Sequence, residues 1–396
     1  MKQEKINTRK PLKLILGFLL VVIIAVFGIL VYLYIGNQNL PTASTVIDHL
    51  SEADKARLEE FDHLLNTFGD EVWPGWNSST IPVIVYNEET VFLVNYPGEP
   101  PAGWQKMPSG EQRGSAWQVV LDDTIHGQPY YRQKLDPLKT PENFTVKVGS
   151  IWVATMQTYE YAAIEFYSQF GNDLPGVLRA IFPYQFFWKL LIPNSETYVA
   201  GIAHESFHAY QGTVSLDRMA EAEKMISVES GYPWNDEQVR QMWQEELDLL
   251  YQAVQEEDLE VKRELAAQFL AQRVARRTQT SLSLEEIEFE RQREWLEGLA
   301  KYAELSILYA AAADSAYLPV LNSSVDGEFD GYQKSVPYFE RQLSEVTRMV
   351  NQDGEIRFYY TGMCMGLLLD DLLPGWKSEI LTGKATQEQL LKEAVQ

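Results

Sequence analysis

At 396 residues, 45% of them hydrophobic and 12% aromatic, the chain holds enough apolar material for a large core, which excludes disorder over its length. Its formal charge of −23 repels phosphate backbones and so excludes nucleic acid as a partner. The single cysteine, Cys364, excludes an intrachain disulfide, and inside "GMCMGLLL" it reads as a small apolar core residue.

The first element in chain order is "LILGFLLVVIIAVFGILVYLYI", residues 14–35, which carries no charge and is long enough to cross a bilayer. Lys2, Lys5, Arg9, Lys10 and Lys13 precede it against one acid, Glu4, and the uncharged "GNQNLPTASTVI" follows. The bias of basic residues to the cytoplasmic side predicts a cytoplasmic N-terminus over 1–13, a single transmembrane helix over 14–35, and an extracytoplasmic remainder. A cleaved signal peptide, with Ala43 as the small residue, is the rival, but the run exceeds the about 7–15 apolar residues of such a peptide. Beyond residue 13, 55 acidic residues stand against 28 basic ones, scattered through amphipathic segments, and they read as a solvated surface.

Residues 36–75 are expected to form a helical neck, because "STVIDHLSEADKARLEEFDHLLNTFGD" has helical spacing behind serine and threonine caps. Pro and Gly then punctuate the β-rich runs "TIPVIVY", "TVFLVNY", "SAWQVVLDD" and "NFTVKVGSIWVATM", which predict a small sheet over 80–156. The last of these runs is a candidate edge strand for an extended peptide. From 158 to 396 the pattern is helical. It opens with an aromatic-rich segment, "YEYAAIEFYSQF" to "FPYQFFWKLLIP", that reads as core packing. Sheet first and helices after predict an α+β domain over 76–396. "NSSVDGEFDG" at 322–331 echoes a calcium loop, but Gln333 stands where the bidentate glutamate belongs, so it reads as an ordinary turn. Sequons at Asn77, Asn143 and Asn322 matter only where the source glycosylates.

The chemistry starts at "AGIAHESFHAYQG", residues 200–212. Four residues apart on a helix, His204 and His208 can aim imidazole nitrogens at one ion, with Glu205 beside them. Neutral imidazoles leave a zinc ion Lewis-acidic, so that it acidifies a water, and a neighbouring carboxylate can accept the proton as that water attacks a carbonyl. A third ligand must come from elsewhere. His49, His63 and His126 lie in the neck or the sheet region, which leaves "EWLEGLAKYAEL", residues 294–305, as the better source, with Glu297 and Glu294 as candidates. Gly298, Ala300 and Tyr302 are expected to give that helix a small-residue face against the motif helix.

Together, "HESFH" and "WLEGLAKYAE" resemble the zinc site of the gluzincin metallopeptidases, above all the aminopeptidase N type family, whose second motif reads W-L-N-E-G-F-A-x-Y-x-E. The resemblance implies Zn2+ held by His204, His208 and Glu297, with Glu205 as general base; Glu304 matches the family's trailing glutamate. It further implies an oxyanion-binding tyrosine in a Y-x-x-G motif, which "FYYTGMCMG" supplies as Tyr359 and Gly362, with Tyr360 as the alternate. This chain lacks the family's asparagine before Glu297 and its G-x-M-E-N segment, so exopeptidase specificity is not implied. Residues 214–282, between the motifs, are expected to be an acidic helical insertion over or beside the cleft.

The expectation is a membrane-anchored zinc metallopeptidase with a gluzincin-like domain outside the cytoplasm, acting on a peptide or protein substrate. The alternative is a non-catalytic binding or scaffold protein with a structural zinc site. An intramembrane protease is excluded by the polar flanks "IPNSETYVAG" and "YQGTVSLDRMAEAEK".

Overall fold

The computed structural model describes residues 9–79, 81–141 and 146–396. The expected cytoplasmic segment through residue 8 and the sequon at Asn143 lie outside them. Helix α1 is Arg9–Asn37 and α2 is Glu52–Val72. Eight strands follow: β1 (Val83–Tyr86), β2 (Thr90–Val94), β3 (Trp104–Lys106), β4 (Glu111–Arg113), β5 (Gln118–Val119), β6 (Tyr131–Lys134), β7 (Val146–Val148) and β8 (Ile151–Gln157). Then come α3 (Tyr159–Asp173), α4 (Gly176–Ile181), α5 (Tyr184–Leu191), α6 (Ser195–Val214), α7 (Leu216–Lys224), α8 (Glu237–Gln255), α9 (Leu259–Gln279), α10 (Leu284–Arg293) and α11 (Leu299–Ala313). A π turn, Glu294–Gly298, joins the last two. The chain closes with α12 (Ser335–Glu345), α13 (Ile356–Leu372), α14 (Lys377–Thr382) and α15 (Gln387–Ala394).

The chain divides into two compact units, Met1–Thr45 with Tyr159–Pro193, and Val46–Thr158 with Asn194–Gln396. The aromatic-rich segment falls in the first, and α2, from the stretch expected as a neck, falls in the second. In the first unit, the 21 residues Gly17–Asn37 of α1 are apolar with none buried, and at 1.5 Å per residue they span about 30 Å, the thickness of a hydrocarbon core. By length and composition α1 is a candidate membrane anchor.

The second unit is a mixed sheet followed by helices, as the order of patterns predicts. Its strand order is β4-β3-β7-β8-β1-β2-β6-β5; β1 and β8 run parallel and every other pair is antiparallel. The strand expected as an edge is interior instead: β8 pairs with β7 over Ile151–Val153 and with β1 over Ala154–Gln157. Ser51 caps α2 by accepting from the Asp54 N–H, and Leu58, Phe61 and Leu64 on α2 are buried against α6 and α11.

Two glycines let β8 lie against α6. A Cβ at Gly201 would stand 2.8 Å from Met156 Cε, and one at Gly212 would stand 2.6 Å from the Trp152 indole. Eleven residues apart, they share one helix face, and His208 sits on that face between them. A second pair of glycines corrects the expectation about the small-residue face. Gly298 meets α13 rather than α6: a Cβ there would lie 2.4 Å from Gly362 Cα, and one at Gly362 would lie 2.4 Å from the Glu294 carbonyl oxygen.

Within the stretch expected as an acidic insertion, α8 and α9 each bury one face. Helices α8 and α9 pack together, and α8 also packs on α13. Between them lies a buried ionic lattice. Arg273 joins Glu246 (2.7 Å) to Glu294 (2.6 and 3.0 Å). Arg276 joins Glu246 (2.7 Å) to Glu290 (2.7 and 3.0 Å). Arg277 joins Glu290 (2.7 Å) to Glu388 (2.6 Å) on α15, which Arg291 also approaches at 3.3 Å. The reading of the acids as a solvated surface therefore fails for these glutamates, because each is matched by a buried guanidinium. The calcium-like stretch is a turn: Asp326 holds Arg57 with both oxygens, at 2.7 and 2.9 Å, and accepts from Ser195 Oγ at 2.6 Å.

Candidate metal centre

Asn194 starts α6 by capping the Thr197 N–H, and the helix carries His204, Glu205 and His208 into the core of the second unit. The third group arrives on the π turn. A π turn adds a residue to the local register of the helix, and here Glu294 is committed to the lattice while Glu297 turns to α6. Glu294, the alternative ligand, has Arg273 on both oxygens and the Thr361 hydroxyl at 2.8 Å.

The three donors form a nearly equilateral triangle. His208 Nε2 is 3.2 Å from His204 Nε2 and 3.2 Å from Glu297 Oε2, and His204 Nε2 is 3.4 Å from Glu297 Oε2. Zinc bonds of about 2.0–2.1 Å set the edge of a tetrahedral ligand shell at about 3.3–3.4 Å. The donors therefore already stand at the separation that one such ion requires. Among the described residues no fourth His, Cys, Asp or Glu belongs to this group. His49, His63 and His126 lie outside it.

Each ligand is oriented from behind. Glu304 Oε2 accepts from His204 Nδ1 at 3.1 Å and is itself held by Lys301 Nζ at 2.7 Å. Gln211 Oε1 lies 2.9 Å from His208 Nδ1. The Gln211 amide cannot flip, because its NH2 donates to the carbonyls of Trp295 (2.8 Å) and Leu296 (3.2 Å) in the π turn. Those bonds make Oε1 the acceptor for Nδ1–H and leave Nε2 of His208 with its lone pair free for a cation. Arg293 Nη2 holds the outer oxygen of Glu297 at 2.7 Å and also pairs with Glu355. Glu304, given no firm role by its place in the motif, is thus the partner of His204. Gln211 and Arg293 were not singled out by the sequence, although each lies three or four residues from a ligand, the helical spacing that lets side chains meet.

The electrostatics follow from burial and neighbours. Burial alone would lower His204, yet its hydrogen bonds to Glu297 and Glu304 raise it to about 10, and Glu297 likewise raises His208. Burial acts against the Glu297 carboxylate, but His208 and His204, then Arg293, hold it well below the usual range. Glu304 is lowered against burial by Lys301 and His204. The half-buried Glu205, close to two carboxylates, is pushed up to about 7 by burial. Metal ligation needs the imidazoles neutral, so a cation at this triad would displace the protons that the carboxylates otherwise attract.

Tyr359 lies over the site. Its ring stacks on His204, with centroids 5.6 Å apart and planes at 9°, and it lies close enough to Glu297 to feel its charge. Burial, and then Glu297, keep it protonated far above the ordinary tyrosine range. Tyr360 faces away, donating to Gln342 Oε1 at 3.0 Å. Gly362 explains the spacing in Y-x-x-G: without a side chain there, α13 reaches the π turn and carries Tyr359 over His204. Cys364 is fully buried, and burial pushes its thiol up, as befits a core residue.

Comparisons with family models, with curated proteins and with solved structures find no match, so the reading of the site rests on its residues.

Proposed function

We propose that this chain is a membrane-anchored, zinc-dependent metallopeptidase that hydrolyses peptide bonds outside the cytoplasm. The observation that carries the reading is the triangle of His204, His208 and Glu297 donors at tetrahedral spacing, with Glu205 and Tyr359 beside it. Two imidazoles and one carboxylate suit zinc, which when bound supplies Lewis acidity toward a carbonyl and a water.

The chain's own groups then have distinct tasks. Glu205 takes the proton of the attacking water and passes it to the leaving amine, a role suited to a carboxyl whose pKa lies near 7. Tyr359 keeps its proton, which burial holds in place, and can donate a hydrogen bond to the oxygen that becomes negative. Gln211 and Glu304 keep the imidazoles aimed, so little reorganisation is left for the reacting complex. The basic residues before the apolar run 14–35 support the orientation, with residues beyond the span extracytoplasmic.

The test is the full chain in lipid or detergent, assayed for zinc content and for cleavage of a peptide library and an unfolded protein. Glu205→Gln is expected to keep about one zinc per chain while turnover falls by about 10²–10⁴-fold. A wild-type protein that holds zinc and cleaves nothing defeats the peptidase reading and leaves the structural-zinc scaffold. One that binds no zinc defeats both.

A further inference from the structure

We propose that the α4–α5 segment is a second membrane contact, an interfacial wedge in the headgroup layer beside the outer end of α1; this rests on the reading of α1 as a membrane anchor. The segment is tied to that helix directly. Asn37, the last residue of α1, donates Nδ2 to the carbonyls of Ala180 (3.1 Å) and Phe182 (2.9 Å). With Gly17–Asn37 crossing the hydrocarbon core, these bonds fix the end of α4 at the level where the span leaves it.

The segment turns several of its apolar side chains outward. Val177 and Leu178 on α4, and Phe186, Leu190 and Leu191 on α5, are each more than half exposed. They are backed by a layer of rings: Phe182 stacks on Phe187 at 5.0 Å and on Phe170 at 5.7 Å. The aromatic-rich segment is therefore only partly core. Five exposed apolar side chains within fifteen residues are suited to something other than water, and short amphipathic helices rich in aromatics are suited to the bilayer interface.

Charge identifies lipid as the partner. Residues 174–193 contain Arg179 and Lys189 and no acid, in a chain whose net charge is −23. Such a stretch is not repelled by anionic headgroups; Arg179 is held by the Asn172 and Leu174 carbonyls at 3.3 and 3.5 Å and Lys189 by the Tyr159 hydroxyl at 3.4 Å, so both positive charges are fixed on this segment.

The experiment uses the full chain in vesicles of phosphatidylcholine and phosphatidylglycerol. An environment-sensitive fluorophore is placed singly through Val177→Cys, Phe186→Cys and Leu190→Cys. Phe27→Cys reports on α1, Leu138→Cys in an exposed loop of the second unit is the aqueous control, and the buried Cys364 is screened from the label. The expected result is quenching at 177, 186 and 190 by lipids spin-labelled just below the headgroup and protection there from aqueous iodide. Position 27 should respond to lipids labelled near the bilayer centre, and 138 to iodide alone. Deep quenching at 27 with free iodide access at 177, 186 and 190 overturns the wedge and leaves the anchor standing. No lipid quenching at 27 removes the anchor and the wedge with it. Protection of the three positions from both quenchers would mean that protein covers the face, which also overturns the proposal.

Discussion

The second unit buries two clusters of ionisable side chains, and they are balanced differently. In the lattice of α8, α9, α10 and α15, Glu246, Glu290, Glu294 and Glu388 are met by Arg273, Arg276, Arg277 and Arg291. There the guanidinium groups hold Glu290 and Glu388 low despite burial, while burial raises Glu294. Around the candidate triad, Glu205, Glu223, Glu297, Glu304 and Glu355 are met, among the described residues, by Lys301, Arg293 and, at Glu223, Lys106 as fixed cations. The surplus falls on Glu205, Glu223 and Glu355, whose carboxyls burial pushes up. One cluster carries its counter-charges in the chain, and the other is short of positive charge in the way a cation would correct.

The largest expected effect comes from unbalancing the complete cluster. Arg273→Leu leaves Glu246 and Glu294 short of a buried partner and is expected to cost about 3–5 kcal/mol, read as a lower denaturant midpoint in micelles. A loss below about 1 kcal/mol would show the lattice to be incidental to stability. Next is the join between the clusters. Gly362→Ala sets a methyl against the Glu294 carbonyl oxygen and Gly298 Cα, backbone that no rotamer change can clear, at a cost of about 1–3 kcal/mol in the same assay.

Gln211→Leu probes the incomplete cluster. It frees His208 to choose its tautomer and is expected to weaken zinc by about 10–100-fold in competition with a chelator. Unchanged affinity would mean that His208 is oriented by packing alone. Acid gives the smallest effect over an accessible range. Burial would raise Glu388, but Arg277 and Arg273 hold it at about 2, below the about 4.3 of an unfolded glutamate. Its contribution is therefore full above about pH 4.3 and is lost as pH falls towards 2, so the midpoint should drop across that window. In Arg277→Leu the drop should shrink.

The site was more legible in the sequence than the scaffold around it. His204, Glu205 and His208 are local to one helical turn, so spacing alone brings them together. Glu297 was reached through motif resemblance, since nothing in its own periodicity distinguishes it from Glu294; that choice is made by a π turn, which leaves no mark in an apolar pattern. The lattice was hidden for a different reason. Arg273, Arg276 and Arg277 lie on a helix that reads as charged and solvent-facing, and only long-range pairing with Glu246, Glu290 and Glu388 reveals it as core. The interior place of β8 was equally invisible, because strand order is set by partners distant in sequence.

The contact of Gly298 with Gly362 sets how closely α13 approaches the π turn that carries Glu297. The ligands ride on α6 and the π turn, whereas Tyr359 rides on α13, and two missing side chains are the gauge that sets the gap between those bodies. Because a methyl at residue 362 would press on the π turn itself, thickening the gauge should shift Tyr359 and Glu297 against each other, so the proposed ligand set and the proposed oxyanion donor are geared through one backbone contact.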